Sequence, residues 1–377
     1  MAGTARHIEC LDGLRGIAAF WILIGHSALL TGACLPLVQT LGLGVDLFIL
    51  LSGFLMVFQY RLRAAKEPWE KPRTWCVFWV RRFFRIAPLY YVTLVVALQF
   101  GGMLLADRSA IDAFTGAGPQ LATRYLDQSF ANVILHTTFL FGLLPDYAYR
   151  TPLPDWSIGL EMQFYAAFPF LMLFQRRFGW TATALTLTAA AIAITLVLRW
   201  QGIAFPMPTF LPMKLPIFLS GMLAAGAIDA GRKKTLLWGA LAVLLVSVPM
   251  PHSGASVVRP LLAVILFALV HGHQLSGVIG NAVTRASRVL GNRFFHWLGE
   301  LSYGTYLWHL LVLQPIAALI IMLTGHTWPP LLQFVTVFAV VALLVYPLSW
   351  LTYRLIEMPG QGLGRKVAGR LLALGNK

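Results

Sequence analysis

Apolar runs of about 20 residues recur along this chain, and they constrain its fold more than any other feature. A helix rises about 1.5 Å per residue, so each run matches the roughly 30 Å hydrocarbon core of a bilayer. The expected spans are ten: 14–35, 42–60, 86–106, 156–175, 180–200, 210–229, 235–250, 257–275, 298–322 and 331–353. An eleventh run, 132–144, is short and carries His136, and reads as re-entrant or interfacial. Of 377 residues, 58% are hydrophobic and 11% charged, whereas soluble domains carry roughly 25% charged residues. The polar side chains are too few to cover a water-facing surface, which excludes a soluble enzyme, a disordered chain and a nucleic-acid-binding domain. The fold class expected is an all-α polytopic membrane protein.

The formal net charge is +15, with the cations clustered between apolar runs. Such clustering fits the positive-inside rule better than a nucleic-acid-binding face, which needs a continuous basic surface. Loop 61–85 holds eight Lys and Arg residues, among them Arg81, Arg82 and Arg85, and is expected in the cytoplasm. Ten spans bring Arg176–Arg177, Arg232–Lys233–Lys234, Arg285/Arg288/Arg293 and Arg365/Lys366/Arg370 to that same side, with both termini cytoplasmic. A full crossing by 132–144 would put the three later basic loops and the tail outside. Residues 1–360 are therefore expected to form one membrane domain, and 361–377 a basic cytoplasmic tail. Asp12 and Arg15 stand where a signal peptide's apolar region would begin, so the first run reads as a retained helix. Cys10, Cys34 and Cys76 have no paired spacing and suggest neither a disulfide framework nor a metal site.

Ionisable groups in hydrocarbon are costly, and each is a functional candidate. Arg15 and His26 are eleven residues apart, about three helical turns, so they share a face with His26 near the midplane. Asp46 and Glu161 enter from the outer side. For these carboxylates the competing reading is pairing with Arg or Lys on neighbouring helices. Arg82 and Arg85 share a face at a cytoplasmic helix end, where arginines also collect for topological reasons. Ser302, Tyr306 and His309 follow an i, i+4, i+7 spacing on one face, with His309 near the midplane. Glu357 is expected to pair with an arginine at the cytoplasmic surface. Depth thus sorts arginines to the cytoplasmic mouth, histidines to the middle and carboxylates outward. Cations suit the phosphates of a polyanionic donor, and carboxylates suit the hydroxyls of a sugar-like acceptor.

At these positions the sequence resembles acyltransferase family 3, integral-membrane enzymes that mostly O-acylate sugars of surface polysaccharides and related acceptors. The matching segments are Leu11-Asp-Gly-Leu-Arg-Gly to His26, Gly44-Val-Asp-Leu-Phe to Ser52-Gly-Phe, Arg82-x-x-Arg85-Ile-x-Pro88, Trp156-Ser-x-x-x-Glu161-x-x-Phe-Tyr165, Ser302-Tyr-x-x-Tyr306-x-x-His309 and Glu357-x-Pro359. They run in order from about 8 to 360. The resemblance implies an acyl-CoA co-substrate, usually acetyl-CoA, reached from the cytoplasm, with no permanently bound cofactor. It implies an essential histidine, His26, at the end of an Arg-x10-His motif, with Arg15, Arg82 and Arg85 at the CoA end. Many relatives carry a C-terminal hydrolase-like domain. This sequence ends before one, which leaves open a separate extracytoplasmic partner or an acceptor that reaches the membrane core.

Two roles suit His26, general base toward the acceptor hydroxyl or nucleophilic carrier of the acyl group. Asp12, Asp46 or Glu161 is expected to orient its ring, and Tyr306, His309 or Ser302 to donate to the thioester oxyanion. The catalytic set expected is thus His26, Asp12, Glu161 and His309, with Asp46, Ser302 and Tyr306 toward the acceptor. The function expected is acyl transfer, acetyl transfer being the commonest case in the family, to a sugar-containing glycolipid or polysaccharide precursor in a bacterial inner membrane. A proton-coupled transporter of a small solute is the alternative from another class, and the absence of a repeat between the halves of the sequence disfavours it.

Overall fold

A computed structural model describes residues 2–36, 38, 40–251 and 258–373, with the side chains of 2–8 and 273 outside that description. Residues 252–257, which include the first residue of the expected span 257–275, and the end of the expected tail, 374–377, lie outside it as well. The described residues form helices and connecting turns, with no strand among them. The helices are α1 (Ala2–Leu30), α2 (Leu41–Arg63), α3 (Pro72–Gln99), α4 (Gly101–Thr115), α5 (Thr123–Leu126), α6 (Phe130–Thr137), α7 (Trp156–Trp200), α8 (Leu215–Gly226), α9 (Arg232–Ser247), α10 (Val258–His271), α11 (Gly277–Leu290), α12 (Arg293–Thr324), α13 (Pro330–Thr352) and α14 (Met358–Ala373).

Among the described residues, five helical stretches are long and apolar enough to cross a bilayer, or six if the bent pair α3–α4 counts as one span. The count of ten is not established on that measure, although every expected span overlaps a helix. Two features account for the difference. Helix α7 runs for 45 residues but is broken at Gly179, whose φ of 79° is a conformation open mainly to glycine. The break yields 156–178 and 180–200, close to the two spans expected there. The expected 210–229, 235–250 and 257–275 fold as shorter helices, α8 of 12 residues, α9 of 16 and α10 of 14. Helix α8 would rise only about 18 Å. It is buried from Leu215 to Ala225 and packs against α9 and α10, which makes it a core helix apolar all round.

The expected span 86–106 is corrected. Helix α3 ends at Gln99, and the chain bends by 72° into α4. Gly101 permits the bend, since a Cβ there would lie 1.9 Å from the Tyr125 carbonyl oxygen. The run 132–144 holds the eight-residue α6 and a 3-10 turn at Leu140–Leu143, neither long enough to cross a membrane. Residues 361–373 of the expected tail are helical. They continue α14, where Gly360 and Gly364 lie close against Phe84 and Pro88.

The contacts divide the chain into two units. One comprises Met1–Ala18, Gly42–Cys76 and Leu160–Gly299; the other comprises Ala19–Leu41, Val77–Gly159 and Glu300–Lys377. The first is held by a close crossing of α2 and α8. A Cβ on Gly53 would stand 2.1 Å from the Phe218 carbonyl oxygen, and one on Gly221 would stand 1.9 Å from that of Leu50. Small residues let apolar helices approach where the hydrophobic effect gives no drive for association. Either Gly53→Ala or Gly221→Ala should therefore destabilise the protein by about 1–3 kcal/mol or more. Gly102→Ala, which meets open space, should be nearly neutral. Thermal unfolding in detergent checks this; equal midpoints for Gly53→Ala and Gly102→Ala would contradict it.

Candidate active site

The second unit brings the two membrane histidines together. His26 is near the end of α1 and His309 in the middle of α12, and their ring centroids are 5.0 Å apart. His309 Nε2 lies 3.2 Å from His26 Nδ1. His26 Nδ1 is also 3.0 Å from the Ile22 carbonyl oxygen, one turn back on its own helix. His309 Nδ1 is 2.6 Å from the Tyr306 carbonyl oxygen. His309 is buried, at 1% exposure, while His26 keeps part of its surface open. Of the pair, His26 is the less buried.

Tyr306, one turn before His309, ties α12 to the start of α7 and the turn before it. Its hydroxyl donates to the Pro154 carbonyl (2.6 Å), so the Ser157 hydroxyl, 2.7 Å away, is left to donate to it. With its single proton engaged there, Tyr306 as placed acts as a tether rather than a donor toward an oxyanion. Ser302 is buried in the same helix.

The segment between α4 and α7 is built around buried polar groups. Asp155 accepts from Thr151 Oγ1 at 2.8 Å and from Tyr90 OH at 3.2 Å, and His136 Nε2 is 3.7 Å away. Burial pushes the Asp155 carboxyl above the usual carboxylate range, with His136 acting in the opposite direction. His136 stacks on Phe141 at 4.2 Å. Arg124 is buried over the Tyr149 ring at 3.9 Å and donates to the Thr151 carbonyl. The Tyr125 hydroxyl reaches Gln314 of α12 at 3.0 Å. Arg108 and Arg124 are close enough to His26 to act on it electrostatically. Sequence reasoning noted His136 within the short run 132–144 and passed over Arg108, Arg124 and Tyr125.

The arginines in the interior of α3 belong to the same unit. Arg82 lies over the Phe78 ring at 5.6 Å. Arg85 is within electrostatic range of Tyr353, whose hydroxyl donates to Glu300 at 3.1 Å. Tyr353–Glu357 forms a π-helical turn and buries Glu357, a local irregularity frequent at functional sites.

The first unit holds the remaining candidates. Asp12 is 3.6 Å from His296. Arg15 is carried by α1, which continues unbroken to His26. Glu161 accepts from Ser52 Oγ at 3.1 Å and from the Tyr165 hydroxyl one turn on. Asp46 is 1% exposed and is clamped between Lys214 Nζ (2.8 Å) and Arg259 Nε (2.7 Å), which are themselves buried. This is the ion pairing weighed as the competing reading, with both carboxylate oxygens engaged. Lys214 and Arg259 were visible as cations inside expected spans, a signal that attention to histidines and carboxylates passed over. Within the second unit, the group that meets the His26 ring is a second histidine.

Apolar helices of spanning length, with buried polar clusters among them, define an integral membrane protein. The chain belongs to acyltransferase family 3, whose acyltransferase-domain model matches residues 8–354. It is 22% identical over 385 residues to the peptidoglycan O-acetyltransferase OatA of Listeria monocytogenes, covering 94% of this chain and 56% of that protein. It is 25% identical over 339 residues to the acyltransferase MdmB of Streptomyces mycarofaciens, covering 81% of this chain and 79% of that one. A stretch of 158 residues is 34% identical to a protein of Komagataeibacter xylinus provisionally named a membrane-bound transacylase, covering 41% of this chain and 35% of the other. The chain thus spans about half the length of the Listeria protein and a third of the Komagataeibacter one. No solved structure matches.

The Asp46 cluster yields a test of stability. Removing the charge leaves two buried cations uncompensated, so Asp46→Asn should cost about 3–5 kcal/mol. Denaturant unfolding in detergent reads this directly, and wild-type stability in Asp46→Asn would contradict it.

Proposed function

We propose that this protein transfers an acyl group, acetyl in the simplest case, from acyl-CoA to a hydroxyl of a sugar-containing acceptor in a bacterial envelope. The part-open His26 against the buried His309 carries this reading. Family membership supports the acyl transfer, and the name of the Listeria relative supports an O-linked acetyl group on a glycan. The placement proposed is the bacterial inner membrane with both termini in the cytoplasm. The acceptor is a polysaccharide precursor or glycolipid, and a separate extracytoplasmic protein completes delivery where the acceptor stays outside.

In this reaction His26 is the general base. It takes the proton of the acceptor hydroxyl as the oxygen attacks the thioester carbon. The C–S bond breaks, and the CoA thiolate takes the proton back from the imidazolium. The products are an O-acyl ester and CoA. Arg82 and Arg85 hold the anionic CoA end, where guanidinium groups match phosphate geometry; the family motif gives Arg15 the same task. General-base catalysis contributes about 10²–10⁴-fold to such a step.

The test uses purified protein in nanodiscs with radiolabelled acetyl-CoA and a glycan acceptor. Wild type should move label from CoA to the acceptor, and folded His26→Ala should do so at least about 100-fold more slowly. Label retained on the protein would replace the general base with an acyl-histidine carrier. Wild-type rates in folded His26→Ala would overturn the role of His26. Failure of wild type with acetyl-CoA and with longer acyl-CoA donors would overturn the choice of donor.

A further inference from the structure

The contacts of the two histidines fix where their protons sit. A carbonyl oxygen only accepts hydrogen bonds, so a ring nitrogen within bonding distance of one carries the hydrogen. His309 Nδ1, 2.6 Å from the Tyr306 carbonyl oxygen, is therefore protonated. His26 Nδ1, 3.0 Å from the Ile22 carbonyl oxygen, is protonated by the same reasoning. His309 Nε2 faces that Nδ1–H at 3.2 Å. A proton on His309 Nε2 would set two N–H groups against each other, so this nitrogen holds a lone pair and accepts. His309 is therefore neutral, and a neutral His26 with its hydrogen on Nδ1 has its lone pair on Nε2.

We propose that His309 is a positioning residue whose Nε2 lone pair, together with the Ile22 carbonyl, keeps the proton of His26 on Nδ1 and so leaves Nε2 as its basic atom. This deepens the preceding proposal and rests on it for the catalytic use of that atom. When His26 Nε2 takes a proton, the new charge spreads to Nδ1–H, which points at an acceptor with a free lone pair. A carboxylate does this in the serine hydrolase triad; here a neutral imidazole does it. The Tyr306 carbonyl holds the donor end of His309, and the Tyr306 hydroxyl is itself tied to Pro154. The chain of bonds therefore runs from the turn before α7 through α12 to His26.

The experiment has one structural arm and one kinetic arm. Protein labelled with ¹⁵N-histidine in nanodiscs is studied by NMR, with the His26 signals assigned from their loss in His26→Asn. His26 should show a protonated Nδ1, a bare Nε2 and a through-bond ¹⁵N–¹⁵N coupling from Nδ1 to His309 Nε2. A proton on His26 Nε2, or no coupling, overturns the proposal whether or not the protein transfers acyl groups. For the kinetic arm, His309→Leu should lower kcat by about 10–100-fold, the scale on which an orienting partner of a histidine acts, with KM for acetyl-CoA unchanged. His309→Gln, which restores an acceptor oxygen, should recover much of that loss. Equal rates in the two variants overturn the orienting role. If His309→Leu does not fold, the wild-type spectrum still decides. If His26→Ala proves fully active while the coupling is present, the tautomer stands and the catalytic reading falls.

Discussion

A polar group in hydrocarbon must find a partner inside the protein, because water is not there to supply one. Much of this structure answers that requirement. Asp46 is neutralised by two cations, Asp155 collects two hydroxyls and a histidine, and Gln314 and Tyr125 satisfy each other. The histidines obey the same rule, with backbone carbonyls taking one proton from each ring. The partly open position in this arrangement is at His26. A site in a membrane protein stands out as the place where that accounting is left incomplete.

Much of the fold was legible in the sequence because lipid imposes a simple rule, about 20 apolar residues per crossing. The rule worked for α1, α2, α12 and α13, and for the two halves of α7 separated at Gly179. It worked less well at α8 to α10. Their apolar residues meet other helices, and hydropathy does not distinguish a core helix from a lipid-facing one. The bend at Phe100 was not legible, because it depends on Gly101 touching the Tyr125 carbonyl, a contact between residues far apart along the chain.

For the site, helical spacing placed Tyr306 and His309 on one face, and the structure finds both beside His26 or its loop anchor. Spacing could not tell which residue reaches which. The ring of His26 was expected to meet a carboxylate and meets His309. Asp46 was a candidate for substrate and is locked in an ion cluster. Both differences arise from pairings between helices distant in sequence. A periodic pattern gives the face of one helix and leaves its neighbour unspecified.

The central claim is that acyl transfer takes place at the open edge of His26. The most direct measurement is a cryo-EM structure of the protein with a non-transferable acetyl-CoA analogue. The predicted result places the acyl carbon about 5–6 Å from His26 Nε2, leaving room for an acceptor oxygen roughly 3 Å from each, with the CoA phosphates against Arg82 and Arg85. An acyl group bound away from His26, or phosphates held elsewhere than on Arg82 and Arg85 of α3, would contradict it.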